Sequence, residues 1–215
     1  MTRPRITVWF DYVCPYCLLA APAIDAVADE FGLTVELRPF ELRRRPAPTL
    51  RPEDPYLPAV WAGSVLPLAE RLGIPISLPT ISPQPYSDSA FAGLFHAERD
   101  GRGAAWTRAV LRAFFQEDRD IGDHAVLADI ATRIGLDGDE LGSALADGRH
   151  RGAHERALAD ADRRGVRAVP TVEVGGQRIE GAPDREHLAR LVSRALATPD
   201  PVAAESLPPT PRRKQ

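Results

Sequence analysis

The sequence predicts an α/β fold in which an N-terminal βαβ unit and a C-terminal ββα unit are separated by a large all-helical insertion. Three observations predict it. Strand, helix and strand patterns follow one another near the N-terminus, residues 55–165 carry helical patterns alone, and strand character returns at residue 169. Of the 215 residues, 44% are hydrophobic and 27% are charged, which is typical of a globular protein.

The N-terminal unit is predicted from residue type and spacing. Residues 5–10 (RITVWF) are rich in β-branched and aromatic residues, which is typical of a buried strand. Helical apolar spacing covers residues 15–31, where Gly32 predicts the end and Pro22 predicts a kink or a local break. Residues 34–40 alternate and predict a second strand, which a right-handed crossover places parallel to the first.

The middle of the chain is predicted to be helical. Ser87, Asp123 and Asp139 are predicted to begin helices as N-caps, and Gly73 and Gly135 to end them. The helical patterns cover 57–72, 87–101, 103–117, 123–135, 139–147 and 150–165. The aromatic residues of the insertion are predicted to form its core, namely Trp61, Phe91, Phe95, Trp106, Phe114 and Phe115.

The C-terminal unit begins with a predicted strand over 169–174, and Gly175-Gly176 predicts a two-residue hairpin turn to a partner strand over 177–181. An amphipathic pattern then predicts a final helix over 184–197. We therefore predict three parts of the chain: a discontinuous domain made of 1–54 and 166–197, a helical insertion domain made of 55–165, and a disordered, proline-rich tail made of 198–215.

Charge and composition argue against several classes of function. The formal net charge is −3, which argues against a general nucleic-acid binder. No run of about 18 apolar residues predicts a membrane helix, and a signal-peptide pattern is missing, so we expect a cytoplasmic protein without a membrane partner. Two cysteines, Cys14 and Cys17, are too few for a disulfide scaffold or for a metal site made of four thiolates. The sequence indicates no oligomeric state.

The segment Cys14-Pro15-Tyr16-Cys17 lies between the first strand and the first helix and is the strongest chemical signal. Helical residues three apart share a face, so the two sulfurs can meet. Unpaired N–H groups at a helix N-terminus stabilise a thiolate at Cys14, and Pro15 suits the first turn because its missing N–H is not needed there. We expect Cys14 to attack a disulfide, and Cys17, one turn further along and less exposed, to resolve the mixed disulfide.

Two other interpretations of the cysteine pair stay open at this point. A structural disulfide would close a very small loop and would be unusual in a cytoplasm. A zinc site would need two more ligands, for which His150 and His154 have suitable i,i+4 spacing, although their arginine-rich segment more simply predicts a solvated helix face. His96, His124 and His187 are expected singly, on helix surfaces or in packing.

A second signal is Val169-Pro170-Thr171 at the start of the third predicted strand. Taken alone, it predicts an ordinary trans proline at a strand edge. Taken with the cysteine motif, it carries a family resemblance. The segments D-Y-V-C-P-Y-C-L and G-V-R-A-V-P-T-V together resemble the DsbA family of thioredoxin-fold oxidoreductases over residues 5–197, and are closest to its cytoplasmic FrnE-like branch.

The resemblance implies a fold and a set of site residues. The fold would be a thioredoxin fold interrupted by a helical domain. Cys14 would be the nucleophile and Cys17 the resolving cysteine. The bond between Val169 and Pro170 would be cis, which turns the backbone of Val169 toward the thiols so that it can pair with a substrate in strand fashion. The substrate contacts would be Pro15, Tyr16, Val169 and Pro170.

The sequence departs from this branch at two positions. Tyr16 replaces the usual tryptophan, and the resulting C-P-Y-C is the active-site sequence usual in glutaredoxins. Glutathione is therefore a candidate redox co-substrate and partner, and no bound cofactor or metal is expected. Leu18 replaces a tyrosine that often follows the motif, which leaves any role of that hydroxyl unfilled.

Asp11 stands three residues before Cys14. A carboxylate at this position can act as an acid or base near the thiols, or can tie down the loop. The type of residue and its position before a turn favour a water-exposed residue that caps the turn.

The residues are compatible with three classes of function. The first, which we favour, is a thiol–disulfide oxidoreductase or disulfide isomerase acting on a protein or small molecule that contains a disulfide or thiols. The second is a glutathione-dependent isomerase or transferase. A similar architecture occurs in 2-hydroxychromene-2-carboxylate isomerases and kappa-class glutathione transferases, which typically carry serine at the position of Cys14. The third is a non-enzymatic chaperone or binding module that uses a helical cleft.

Overall fold

The computed structural model describes residues 5–197, which contain a four-stranded mixed sheet. The strand order is β2-β1-β3-β4, with β1 parallel to β2 and antiparallel to β3, and with β3 antiparallel to β4. The strands are β1 Ile6–Phe10, β2 Val35–Pro39, β3 Thr171–Val174 and β4 Gln177–Glu180. The predicted α/β fold is confirmed, whereas the tail predicted to be disordered, 198–215, lies outside the described residues.

Helices connect and cover the strands. α1 (Pro15–Phe31) joins β1 to β2, and α9 (Arg185–Ala197) follows β4 and packs against α1. The helices between β2 and β3 are α2 Tyr56–Val60, α3 Leu66–Leu72, α4 Asp88–Glu98, α5 Gly103–Gln116, α6 His124–Arg133, α7 Gly138–Ala146 and α8 Arg151–Arg163. A single π-helical turn, Trp61–Val65, joins α2 to α3. Within residues 5–197, no helix has the length and apolar character needed to cross a bilayer.

Helix α1 carries the cysteine motif, and its ends follow the prediction. It begins at Pro15 and ends at Gly32, whose φ of 61° is left-handed and so suits a residue without a Cβ. The helix runs through Pro22 without interruption, so the predicted local break is wrong. Leu19 and Ile24 are buried on either side of this proline.

The predicted N-caps have three different outcomes. Asp123 caps α6, because its carboxylate accepts an N–H of the first turn at 2.8 Å. Asp139 is not a cap. Asp137 caps α7 instead, and Asp139 falls in the first helical turn. The prediction chose the wrong residue because residue type alone does not distinguish the two aspartates of the Asp-Gly-Asp sequence. Ser87 begins α4 as predicted, but its hydroxyl donates to Asp11 rather than capping the helix.

One hydrophobic cluster extends from the sheet into the helical insertion. The ring of Tyr12, just after β1, lies 4.9 Å from that of Phe10 and 4.8 Å from that of Phe91 in α4, measured between centroids. The Tyr12 hydroxyl lies 3.1 Å from the Thr107 hydroxyl of α5. The chain leaving β1 is therefore anchored in the insertion, which fixes the position of the cysteine loop that follows.

The aromatic core of the insertion is as predicted except at one position. Phe95 is only half-buried, whereas the other five aromatics are buried, namely Trp61, Phe91, Trp106, Phe114 and Phe115. Helices α4 and α5 approach closely at Gly93, where an added Cβ would lie 2.1 Å from the Trp106 ring. The Trp106 indole also donates to the carbonyl of Ala90 at 3.0 Å, so the ring has little freedom to move.

This close approach makes Gly93 a position in the insertion that has no room for a side chain. We expect Gly93→Ala to lower the free energy of unfolding by about 1–3 kcal/mol through overpacking. The matched control is Gly142→Ala in α7, where an added Cβ meets nothing within 4 Å, so the helix preference of alanine should raise stability by up to about 1 kcal/mol. Urea denaturation measures both, and equal effects of the two substitutions would contradict the packing described.

Candidate active site

The first turn of α1 holds both cysteines. Cys14 is the N-cap residue with an extended backbone, and the N–H of Cys17 donates to its carbonyl at 3.0 Å. Both are free thiols. Their exposed fractions are 3% and 5%, so the prediction that Cys17 is the less exposed is wrong. The reason is that Val169 covers Cys14: the Cys14 thiol donates to the Val169 carbonyl at 3.4 Å.

The two thiols border different cavities. Cys14 borders a cleft of about 450 Å³ together with Pro15, Tyr16 and Val169, and the far wall of this cleft belongs to the helical insertion. Cys17 borders a second cavity of about 440 Å³, which lies between β1, β2, α1 and α5. Each sulfur therefore borders its own cavity between the sheet and the insertion, and Val169 lines the cavity of Cys14.

The environment of Cys17 favours the protonated form of its thiol. Burial raises the pKa of the Cys17 thiol well above its ordinary value, and the neighbouring Cys14 raises it further. The backbone of Asp11 acts weakly in the opposite direction. Cys17 therefore stays protonated near neutral pH, and a protonated thiol is not a nucleophile. This state suits a group that reacts second.

The Val169–Pro170 segment lies across from the N-terminus of α1. Its peptide bond is cis in the structure, the isomer that the resemblance implies. The loop is held on both sides, because the Thr171 hydroxyl donates to the carbonyl of the residue before Val169 at 2.6 Å, and the N–H of Gly181 donates to the Pro170 carbonyl at 2.8 Å. These bonds fix the Val169 carbonyl beside Cys14.

Tyr16 connects the cysteine motif to the insertion. Its hydroxyl hydrogen-bonds to the hydroxyl of Ser64 in the π-helical turn. Pro15 and Tyr16 are half-buried and both line the cleft, while Leu18 is half-buried against the hydrophobic core. The tyrosine thus spans the rim of the cleft on the side of the motif.

Asp11 is fully buried, so the prediction of a water-exposed turn cap is wrong. It does tie down the loop. Its carboxylate accepts the N–H of Val13 at 3.3 Å, the N–H of Leu42 at 2.7 Å and the hydroxyl of Ser87. These donors belong to the loop before Cys14, to the segment after β2 and to the start of α4. One carboxylate therefore holds together three segments around the cleft.

The buried position of Asp11 changes its acidity. Burial raises the pKa of this carboxyl from near 3.8 to about 6, while the hydrogen bonds from Ser87, Leu42 and Val13 lower it and the neighbouring Glu41 raises it. Burial raises this pKa by more than the hydrogen bonds lower it. The group therefore changes its protonation between about pH 5 and 7, whereas an exposed aspartate would be fully ionised there.

Sequence reasoning missed a buried acid beside Asp11. Glu41 lies two residues after β2 and His154 lies in α8, and both are buried. Glu41 Oε1 and His154 Nε2 are 3.0 Å apart but are not aligned for a hydrogen bond. The His154 ring also stacks on Phe91, with centroids 5.4 Å apart. The prediction of a solvated face is therefore wrong at His154, because α8 packs against β2. The sequence signal that could have indicated the burial of Glu41 is the apolar residue on each side of it.

His150 and His154 point to different neighbours. The His150 ring meets the His96 ring edge-on, with centroids 5.7 Å apart, so His96 does not stand alone. Burial lowers the pKa of His150, and the nearby charges of His96, Arg99 and Arg149 lower it further. Among residues 5–197, no cluster of three or more His, Cys, Asp and Glu residues could hold a metal ion.

Comparison with known proteins gives one family and one curated relative. The family model described as the DSBA-like thioredoxin domain matches residues 5–193. A protein of Bacillus subtilis (strain 168), described as uncharacterized protein YwbO, is 38% identical over 191 residues, covering 88% of this chain and 96% of its own. The family-model match spans both the cysteine motif and the Val169–Pro170 segment.

Solved structures share the fold at low sequence identity. A putative protein disulfide isomerase from Nitrosomonas europaea has a TM-score of 0.75 at 19% identity, covering 91% of this chain and 98% of its own. A 2-hydroxychromene-2-carboxylate isomerase has a TM-score of 0.73 at 20% identity, covering 89% and 94%. The cytosolic disulfide reductase DsbM from Pseudomonas aeruginosa, solved with GSH, has a TM-score of 0.65 at 21% identity, covering 90% and 96%. These similarities show the thioredoxin-like fold.

The raised pKa of Asp11 predicts a pH dependence of stability. The folded state holds this proton more tightly than the unfolded chain, so the folded state loses stability as pH rises from about 4 to about 6, and the loss then stays constant. A pKa shift of this size changes the free energy of unfolding by about 3 kcal/mol. We expect Asp11→Asn to abolish this part of the pH dependence, as measured by the free energy of unfolding in urea from pH 4 to 7.

The control for this experiment is Asp139→Asn, which removes an exposed carboxylate of α7. Its pH dependence should match that of the unaltered protein. An Asp11→Asn protein with the same slope between pH 4 and 6 as the unaltered protein would show that Asp11 does not carry the effect.

Proposed function

The chain belongs to the family of DSBA-like thioredoxin domains, and from this premise we propose that it is a thiol–disulfide oxidoreductase or disulfide isomerase whose redox centre is the Cys14–Cys17 pair. One observation carries the proposal. Cys14 stands at the N-terminus of α1 and borders the cleft, while a second thiol with a raised pKa lies one turn away. This is the asymmetry that a two-step exchange needs.

In the first step, the thiolate of Cys14 attacks one sulfur of the substrate disulfide. A mixed disulfide forms between Cys14 and the substrate, the substrate S–S bond breaks, and the released sulfur leaves as a thiolate that takes up a proton. The unpaired N–H groups of the first turn and the helix dipole stabilise the negative charge on Cys14 before the attack.

In the second step, Cys17 loses its proton and attacks the sulfur of Cys14. The Cys14–Cys17 disulfide forms and the second substrate thiolate leaves, so two electrons have passed from the protein to the substrate. The same steps in reverse oxidise a dithiol. Because the raised pKa of Cys17 keeps its thiolate scarce, the mixed disulfide persists long enough for another substrate thiol to attack it, which is isomerisation.

The cleft supplies the binding surface for this substrate. The backbone of Val169 lies beside Cys14, where it can pair with a substrate main chain as an added strand does. When a substrate peptide takes up this position, the Cys14 sulfur gives up its contact with the Val169 carbonyl and becomes available for exchange. Pro15 and Tyr16, which line the cleft, and Pro170, which lines the cavity beside Cys17, complete the contact surface that we propose.

Glutathione is the proposed redox partner, and the cytoplasm the proposed compartment. Two molecules of glutathione return the Cys14–Cys17 disulfide to two thiols and leave as glutathione disulfide, which closes the cycle. Two findings support this part of the proposal: the Cys-Pro-Tyr-Cys sequence, and the similarity to a structure whose description names a cytosolic disulfide reductase with GSH.

A second candidate is a glutathione-dependent isomerase, which the similarity to 2-hydroxychromene-2-carboxylate isomerase favours. Such a reaction activates the glutathione thiol without changing the redox state of the protein. It needs no thiol at position 14, whereas disulfide exchange needs a sulfur there. Substitution of Cys14 by serine therefore separates the two candidates.

We expect Cys14→Ser to reduce disulfide exchange with insulin by roughly 100-fold or more, because the attacking sulfur is removed. We expect Cys17→Ser to complete the first step only, so that a mixed disulfide with the substrate accumulates. Insulin reduction measures the first effect and mass spectrometry of the unreduced protein measures the second. Thermal unfolding of both variants controls for folding. Full insulin reduction by Cys14→Ser would contradict the proposed exchange at Cys14, and a glutathione-dependent isomerase activity that this variant keeps would support the second candidate.

A redox titration provides an independent measurement. In glutathione buffers of graded composition, we expect the unaltered protein to form the Cys14–Cys17 disulfide in one two-electron transition, and Cys17→Ser to form only a mixed disulfide between Cys14 and glutathione. A potential near that of the cytosolic glutathione pool would assign reduction or isomerisation, and a much higher potential would assign oxidation. If the protein has the same oxidation state in the most reducing and the most oxidising glutathione buffer, a Cys14–Cys17 redox couple is contradicted.

A further inference from the structure

Gln84 lies in the wall of the cleft that the insertion contributes, in the same cleft that Cys14 and Val169 border. The residue is 7% exposed, and its backbone is fixed by an N–H donated to the Leu50 carbonyl at 2.8 Å. Prolines on both sides, Pro83 and Pro85, restrict the backbone further. Within residues 5–197, the side-chain amide of Gln84 forms no hydrogen bond with the protein, and its polar atoms keep contact with solvent.

The other buried polar group of this cleft is already engaged. Ser87 is buried there, and its hydroxyl donates to Asp11. Around Gln84 the wall is mainly apolar, with Leu57, Val60, Trp61, Pro85 and Phe115. No protein group in the described part of the chain pairs with the Gln84 amide, so its hydrogen bonds are left to the solvent that reaches it in the cleft. A ligand in the cleft is the natural partner.

We propose that the Gln84 amide recognises the peptide group next to the reacting sulfur of the substrate. An amide side chain offers one carbonyl acceptor and one N–H donor group, which are complementary to the N–H and C=O of a peptide unit. Val169 offers its backbone from a different segment of the same cleft, so a peptide between them is held from two sides. This inference rests on the proposed function of the Cys14–Cys17 pair.

Arg43 adds a positive charge at the same cleft. It is exposed and, within residues 5–197, forms no ion pair, whereas the next two arginines are engaged: Arg44 with Asp162 and Arg45 with Asp88. A substrate with a peptide group beside its sulfur and a carboxylate nearby matches both residues. Glutathione and a protein segment with an acidic residue share this chemistry, and the substrates in the test distinguish them.

The test measures the rate at which the reduced protein is oxidised by three disulfides: glutathione disulfide, insulin, and bis(2-hydroxyethyl) disulfide, which has no peptide group. We expect Gln84→Met to lower the rate with glutathione disulfide about tenfold and the rate with bis(2-hydroxyethyl) disulfide less than about twofold. A similar loss of rate with insulin shows that Gln84 recognises peptide groups in general. An unchanged rate with insulin shows that Gln84 recognises glutathione. Gln177→Met, on an exposed strand position outside the cleft, is the matched control and should change no rate.

Two results would overturn the assignment of Gln84: equal losses with all three disulfides, or no loss with either peptide-containing disulfide. If Gln84→Met fails to fold, Gln84→Glu replaces it, because the carboxylate keeps the size of the side chain and removes its donor. The reduction potential of the Cys14–Cys17 couple should be the same in every variant, which separates recognition from redox chemistry.

A binding measurement separates this inference from the proposed function. S-Methylglutathione carries the peptide groups but cannot exchange disulfides, so its affinity, measured by calorimetry, reports recognition alone. We expect Gln84→Met to weaken it about fivefold to tenfold. A protein that exchanges disulfides but binds S-methylglutathione equally well with and without Gln84 refutes the role of Gln84 only. A protein that exchanges no disulfide, yet loses this affinity in the variant, refutes the proposed reaction only.

Discussion

The carboxylate of Asp11 is the contact on which the arrangement of the cleft depends. It binds the loop that carries Cys14, the segment after β2 and the first residue of α4, so the sheet and the insertion meet at one buried group. The next residue, Tyr12, extends in the other direction and packs between Phe10 and Phe91. Burial of the carboxylate is unfavourable, as its raised pKa shows, and the three hydrogen bonds offset part of that cost.

The same arrangement makes two chemically identical residues unequal. Cys14 has the helix N-terminus, the cleft and the Val169 carbonyl on its side, while Cys17 is enclosed between the sheet and two helices. Their exposed fractions hardly differ, so accessibility alone does not distinguish an attacking thiol from a resolving one. The surroundings of each sulfur do differ: Cys14 borders the cleft that Val169 lines, whereas Cys17 borders the other cavity and its burial raises its pKa.

The sequence predicted those features that depend on neighbouring residues. The strands, the start and end of α1, and the hairpin after β3 follow from β-branched runs, Pro15, Gly32 and the Gly-Gly turn. The cysteine motif and the proline segment were found through a family resemblance, because each is short and weak alone. The placement of Asp11, Glu41 and His154 could not be predicted, because their burial results from packing between segments more than 30 residues apart along the chain. Polar residues that packing brings inside look like surface residues in a single sequence.

The cleft has two walls that come from distant parts of the chain. The sulfur chemistry resides in the turn after β1 and in the segment before β3, whereas Gln84 and its apolar neighbours belong to the insertion. A change in the insertion wall can therefore alter which molecules enter without touching the sulfurs or the strands that hold them. In evolutionary terms, the proposed reaction and the proposed choice of substrate would be inherited on separate stretches of sequence, so descendants of one ancestor could keep the first while they diverge in the second.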